Sequence, residues 1–63
     1  MGHKFRMGQA VWFKRKNKKL IGSIDRCDLN DQGQPIYGIS YIGKWRGRDT
    51  LLHTWASETD IIG

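Results

Sequence analysis

Short runs of β-branched and aromatic residues, separated by Gly, Asn, Asp and Lys, recur along the chain and constrain its fold more than any other feature. No stretch shows the 3.6-residue periodicity of an amphipathic helix, so the pattern is typical of strands and turns. The clearest alternation places Tyr37, Ile39 and Tyr41 on one face of a strand. We therefore predict five short strands, at residues 9–15, 20–29, 35–43, 49–55 and 61–62.

Polar segments separate these strands. Residues 30–34 have the composition of a hairpin turn, in which Gly33 supplies a positive φ. Residues 15–19 and 43–48 form two further connections, both rich in Lys and Arg. Residues 57–60 are too few for an α-helix and predict one 3₁₀ turn before the last strand.

Five strands with short connections predict a single domain over residues 1–63, an all-β, strongly bent antiparallel barrel with its folded part at about residues 5–62. Gly22 indicates a close backbone approach or a bulge where the second strand bends. A core of this size supplies roughly 3–5 kcal/mol, and homo-oligomerisation would be one way to bury more surface. The expected core consists of Val11, Phe13, Ile24, Tyr37, Ile39, Tyr41, Trp55 and Ile61.

The sequence offers no disulfide, metal site or catalytic group. Cys27 is the single cysteine, whereas small secreted domains usually have several disulfides. Together with His3 and His53 it does not make a structural zinc site. His53 has no spacing to a nucleophile or carboxylate that indicates a catalytic triad. The longest apolar run, residues 10–13, is far too short to span a membrane. We expect a cytoplasmic protein that is not an enzyme and has no cofactor.

Basic residues are concentrated in two of the connections. Eleven Lys and Arg against six Asp and Glu give a net charge of +5, which favours an anionic partner. In an up-and-down meander, the first and third connections lie at one end of the sheet and the second and fourth at the other. The first end should then hold eight basic side chains, Lys14, Arg15, Lys16, Lys18, Lys19, Lys44, Arg46 and Arg48. The other should hold Asp28, Asp31, Glu58 and Asp60.

These basic side chains suggest a DNA- or RNA-binding surface, in which they contact backbone phosphates and Trp45 stacks on a base or enters a groove. The excess of Lys in the first connection suits non-specific backbone contacts. Lysine-rich turns that are merely solvated and protect sheet edges are the simpler alternative. A third interpretation is a protein-interaction module that docks Trp12 and Trp45 onto an acidic partner, because both tryptophans are expected to be exposed.

Four segments in order resemble an SH3-like barrel of the Tudor, chromo-barrel and KOW group. They are residues 7–13 (MGQAVWF), 20–24 (LIGSI), 36–41 (IYGISY) and 55–62 (WASETDII). The resemblance implies a small binding module, although this fold hosts many unrelated binding roles. Tudor and chromo-barrel domains bind methyl-lysine in aromatic cages, which Trp12, Tyr41 and Trp45 could supply here. Eight positive charges at the same end would repel such a cation and count against a cage.

Overall fold

Four antiparallel strands account for most of the residues that the computed structural model describes, which are residues 4–63. Their bounds are β1 Ala10–Arg15, β2 Lys18–Leu29, β3 Pro35–Trp45 and β4 Arg48–Ser57, followed by a 3₁₀ turn at Glu58–Asp60. The all-β prediction and the 3₁₀ turn are confirmed. His3, which was weighed above as a metal ligand, lies outside the described residues.

The strands follow one another in a meander, in the order β1-β2-β3-β4. Strand β2 belongs to two halves of the sheet, because its residues 18–23 pair with β1 and its residues 22–29 pair with β3. Only Gly22 and Ser23 have partners on both sides. The sheet therefore bends at Gly22, and β1 folds over the inner face of β3 and β4.

The predicted fifth strand is wrong. Ile61 forms an isolated bridge with Phe13, and the amide of Ile62 donates to the carbonyl of Trp12 at 2.7 Å. One bridge does not extend into a ladder, so β1 is held against this segment at a single point and the sheet is not closed. The fold is a four-stranded antiparallel sheet compatible with a small β-barrel-like architecture, and the prediction of a closed five-stranded barrel is corrected accordingly.

The inner face of the bent sheet contains the core, and the predicted core is correct except at Trp55. In β4 it is Ala56 that faces inward, opposite Tyr37, while Trp55 lies opposite Gly38 on the outer face. The turn after β3 fixes this register, and a shift of one residue moves a side chain to the other face. The buried residues are Phe5, Val11, Phe13, Ile24, Tyr37, Ile39, Tyr41, Ala56 and Ile61.

Tyr37 ties three parts of the chain together. Its hydroxyl accepts a hydrogen bond from the amide of Phe5 at 3.2 Å and donates one to Glu58 Oε2 at 2.8 Å. The rings of Phe5 and Tyr37 meet edge to face, with centroids 5.5 Å apart. Burial raises the pKa of the Tyr37 hydroxyl, so it stays protonated and keeps donating to Glu58. Phe5, which the predicted core omitted, is buried by these contacts.

A bulge interrupts β2 at Asp25, where the pairing with β3 shifts between Ile24 and Arg26. The extra residue reverses the alternation beyond this point. Cys27 therefore lies opposite Tyr37 and packs, half-buried, against the core, whereas unbroken alternation would place it on the same face as Ser23. Its thiol donates to the carbonyl of Phe5 at 3.8 Å.

Two-residue turns connect the outer hairpins. Lys16 and Asn17 join β1 to β2 with φ of 50° and 64°, and Arg46 and Gly47 join β3 to β4 with φ of 54° and 78°. Positive φ at both central residues is the mark of the type I′ turn, whose twist matches that of the flanking strands. Strands β2, β3 and β4 therefore extend further toward these turns than predicted, while β1 ends at Arg15 as predicted.

The bend of β2 requires glycine at residue 22. A Cβ on Gly22 would lie 2.6 Å from Ile39 Cγ2, 2.7 Å from the carbonyl oxygen of Ser40 and 3.1 Å from Phe13 Cε1. Real Cβ atoms do not approach a backbone oxygen this closely, so any side chain here forces β2 and β3 apart. The close approach expected from the sequence is present.

We expect Gly22→Ala to lower the free energy of unfolding by about 1–3 kcal/mol, the usual cost of overpacking. This exceeds the gain of about 0.4–1 kcal/mol that Gly→Ala provides by restricting the unfolded chain. Urea denaturation measures the change. Ser23→Ala, at the exposed neighbouring position, is the control and should shift stability by less than about 0.5 kcal/mol. Equal stability of Gly22→Ala and the wild type would contradict this account of the bend.

Candidate functional site

The residues predicted to bind phosphates lie on two exposed hairpin ends. We call residues 14–19 the first tip and residues 44–48 the second tip. They are the first and third connections of the meander. The prediction that they share one end of the sheet is wrong, because the bend of β2 carries the first tip to Thr54, in the C-terminal part of β4, whereas the second tip lies at the start of β4. All nine predicted side chains are exposed, namely Lys14, Arg15, Lys16, Lys18, Lys19, Lys44, Trp45, Arg46 and Arg48.

The first tip pairs like charges across its two strands. Lys14 lies directly opposite Lys19, and Arg15 lies directly opposite Lys18, with Lys16 in the turn between them. Like charges in direct cross-strand positions destabilise a hairpin. The sequence therefore maintains a local arrangement that costs folding stability, and a bound anion would relieve the repulsion.

Backbone strain is concentrated at the same two tips. Among residues 4–63, the non-glycine residues with positive φ are Lys16, Asn17 and Arg46. Type I′ turns favour Asn or Gly at both central positions, yet each tip has a basic residue at the first one. A left-handed conformation costs a side-chain-bearing residue about 1–2 kcal/mol. Strained residues of this kind cluster at functional sites.

The second tip combines charge with an exposed indole. The Trp45 side chain is 62% exposed, and the guanidinium carbon of Arg46 lies 5.9 Å from the centroid of its ring. Lys44 forms an ion pair with Asp49 at 3.6 Å. Both partners are largely exposed, so this pair contributes little to stability and leaves Lys44 accessible.

The two tips are not side by side. Pairing between β2 and β3 ends at Gly22 and Tyr41. Beyond this point the β1–β2 hairpin and the β3–β4 hairpin diverge, and we call the gap between them the fork. Arg15 Nη1 donates to Thr54 Oγ1 at 3.0 Å, which holds the first tip against the middle of β4. Arg48 lies six residues from Thr54, so roughly 20 Å of strand separates the second tip from this contact.

The predicted separation of acidic from basic residues is incomplete. Asp28 and Asp31 lie near the β2–β3 connection, at the end of the sheet opposite the second tip. Asp60, however, lines a cleft of about 200 Å³ together with Lys14, Arg15 and Lys16. The 3₁₀ turn brings the chain back toward β1, and strand order alone did not indicate this return.

Trp55 separates the first tip from a second cleft. It lines the cleft of Lys14, Arg15 and Lys16 on one side. On the other it lines an open cleft of about 380 Å³ whose remaining walls come from Asp25, Arg26, Gly38, His53 and Thr54. The sequence analysis assigned Trp55 to the core and so missed this surface residue, which is 55% exposed. A two-residue turn at Arg46-Gly47 was the signal that would have placed Trp55 outside.

Ser40, Asp25 and His53 form a hydrogen-bonded cluster beside this second cleft. The Ser40 hydroxyl donates to Asp25 Oδ2, and His53 Nδ1 lies 3.0 Å from Ser40 Oγ and 3.3 Å from Asp25 Oδ2. The Ser40 hydroxyl is thus directed to the Asp25 carboxylate, and His53 Nδ1 faces both oxygens. The hydrogen bond from Ser40 lowers the pKa of Asp25, against partial burial and with a further contribution from His53.

The aromatic residues considered for a methyl-lysine cage do not come together. The Tyr41 side chain is only 7% exposed, and its ring meets that of Phe13 edge to face at 5.4 Å. Trp12, 47% exposed, lines a cleft with Lys19 and Ile62. Trp45 lines neither this cleft nor those beside Trp55. The structure confirms that Trp12 and Trp45 are exposed and places them on different surfaces.

An apolar groove occupies the fork between the hairpins. Ile21 comes from one hairpin and Ile42 and Leu51 from the other, and all three side chains are exposed. They line a shallow groove of about 370 Å³ together with Ser23 and Ser40. This groove was not anticipated, since the sequence analysis assumed that the two connections would meet.

Within residues 4–63, no three His, Cys, Asp or Glu side chains are grouped closely enough to hold a metal ion. The same part of the chain has no helix that is long and apolar enough to cross a membrane. Comparison with models of protein families, with curated proteins and with solved structures finds no match for this chain.

Replacing Lys16-Asn17 by Asn-Gly, the favoured type I′ pair, should raise the free energy of unfolding by about 1 kcal/mol or more. The substitution removes left-handed strain at Lys16 and one of the crowded charges of the first tip. Urea denaturation measures the gain. Lys4→Asn, which removes one charge outside the tips, is the control for net charge. A gain no larger than that of Lys4→Asn would contradict the assigned strain.

The carboxyl of Asp25 should titrate below the ordinary aspartate range, and Ser40→Ala should raise its pKa, because the hydroxyl is the main group that stabilises the carboxylate. Because the pKa of Asp25 is lower in the folded than in the unfolded protein, its carboxylate contributes to the free energy of unfolding above the unfolded pKa. This contribution is lost as the pH falls from the unfolded pKa through the folded pKa. NMR titration of the side-chain carboxyl measures both values. An unchanged pKa in Ser40→Ala would show that the hydrogen bond does not form in solution.

Proposed function

We propose that this protein is a small SH3-like module that binds nucleic acid, contacting backbone phosphates through its two basic tips. The fold part of the proposal is supported by the shared strand β2, the 3₁₀ turn and the bridge from Ile61 to β1. The observation that carries the function is the first tip, where Lys14 opposes Lys19 and Arg15 opposes Lys18.

Phosphates resolve the electrostatic conflict of the first tip. Five basic side chains lie within six residues there, and the neighbouring Asp60 supplies one opposing charge. A nucleic-acid backbone presents regularly spaced negative charges, and its neutralisation by Lys and Arg releases counterions. Binding would thus gain free energy and remove the like-charge repulsion that the free protein bears.

The distance between the tips suits an extended polyanion rather than a single phosphate group. Roughly 20 Å of strand separates Arg48 from the position where Arg15 contacts Thr54. This distance exceeds the size of one phosphate group and corresponds to several successive phosphates of a nucleic-acid strand. One nucleic-acid strand can therefore reach both tips, whereas a small anion would occupy only one of them.

Fluorescence anisotropy with a labelled 20-base-pair DNA duplex measures this binding. We expect affinity to fall steeply with salt, with a log–log slope of roughly −4 to −5 for about four to six phosphate contacts. Lys16→Glu combined with Lys18→Glu should weaken binding across all sequences and reduce the slope. Lys4→Glu with Arg6→Glu, which changes net charge equally on exposed residues outside the tips, is the matched control.

Two results would overturn the proposal. One is no detectable binding to DNA or RNA at about 50 mM salt, conditions that favour phosphate contacts. The other is equal loss of affinity in the tip variant and the control, which would assign binding to net charge alone. If a protein partner survives nuclease treatment in a pull-down and is lost on Trp45→Ala, while no nucleic acid binds, the protein-interaction alternative replaces this one.

A further inference from the structure

We infer that the preferred ligand is single-stranded nucleic acid, with Trp55 as the platform on which an unpaired base stacks. This inference rests on the proposed phosphate binding and names the form of nucleic acid that the same surface accepts. It is carried by the position of Trp55 between the basic cleft of the first tip and the polar cleft that contains Arg26 and His53.

The sheet leaves the Trp55 ring open to solvent. Trp55 lies opposite Gly38, which has no side chain to cover a neighbouring ring across the strands. The side chain is 55% exposed, although it lies within a paired strand, two residues before the strand ends, rather than at a turn. A large aromatic side chain held on a rigid strand and left uncovered is a typical stacking surface for bases.

The two sides of Trp55 offer different chemistry. On one side Lys14, Arg15 and Lys16 present positive charge suited to phosphates. On the other, Arg26, His53 and the Asp25 carboxylate present donors and an acceptor that can reach the edge of a base. A nucleotide stacked on Trp55 would thus have its phosphate at the first tip and its base edge over the second cleft.

This arrangement favours single strands, because a base in a duplex has both faces stacked and its pairing edge occupied. Presenting such a base to Trp55 would first require unpairing and unstacking it. An unpaired base avoids most of this cost and gains the stacking interaction with Trp55. The tips alone would bind both forms, so Trp55 supplies the discrimination.

Trp45 serves as the internal comparison. It is about as exposed as Trp55 but lies at the end of the second tip beside Arg46, and it does not line the clefts on either side of Trp55. A base stacked on Trp45 would have no polar cleft beside it. Substituting the two tryptophans therefore separates the loss of a well-placed stacking platform from the loss of exposed aromatic surface in general.

The test compares binding of the full chain to three labelled 20-mers: oligo-dT, a mixed-sequence duplex, and an abasic strand with the same phosphates as oligo-dT. We expect Trp55→Ala to weaken oligo-dT binding at least about fivefold, the lower range for loss of one stacked base. It should leave binding to the duplex and to the abasic strand nearly unchanged. Trp55→Tyr should restore much of the oligo-dT affinity, and Trp45→Ala should have the smaller effect. Circular dichroism confirms that each variant folds.

The outcomes distinguish a failure of base stacking on Trp55 from a failure of the proposed phosphate binding at the tips. If Lys16→Glu with Lys18→Glu abolishes binding while Trp55→Ala binds oligo-dT as the wild type does, phosphate binding stands and the stacking platform is refuted. Equal losses on oligo-dT and on the abasic strand would also overturn the inference, because no base is then involved. If neither tip nor Trp55 substitutions change affinity, the proposed function itself fails.

Discussion

The close approach of β2 to β3 at Gly22 is the constraint on which the rest of the structure depends. Because a hydrogen is all that fits between Phe13, Ile39 and the Ser40 carbonyl, β2 can bend there and serve two halves of the sheet. The bend brings Val11 and Phe13 over the core and lets β1 meet the segment after the 3₁₀ turn. It also ends the pairing of β2 with β3, which opens the fork between the hairpins and directs the first tip toward β4.

The two tips show where the sequence departs from what local stability would favour. Elsewhere in the part of the sheet that the structure describes, the buried side chains are apolar or aromatic, and no charged side chain is buried. At the tips, by contrast, basic residues occupy left-handed positions and face one another across strands. Natural proteins break such local rules mainly at functional sites. The core is stable enough to tolerate these unfavourable positions of basic residues. The same positions concentrate positive charge at the two tips.

Much of the fold follows from alternation and turn composition. Tyr37, Ile39 and Tyr41 were assigned to the core from period-two alternation alone, and the meander follows from short connections. Which side chains of β4 face inward could not be predicted in this way, because the register of β4 is set by a turn of only two residues. Trp55 was assigned to the core as a result. The bulge at Asp25 was also invisible, since an extra residue changes alternation without changing composition. The cluster of Ser40, Asp25 and His53 arises from three strands in register, so no spacing along the chain reveals it.

The central claim is that phosphates meet the protein at the two tips. The most direct measurement is a ¹H–¹⁵N NMR titration of the labelled chain with a short DNA strand, followed amide by amide. We expect the largest shifts in residues 14–19 and 44–48, with the hairpin at residues 30–34 unaffected. Shifts confined to residues 30–34, or spread evenly over the surface, would contradict the account.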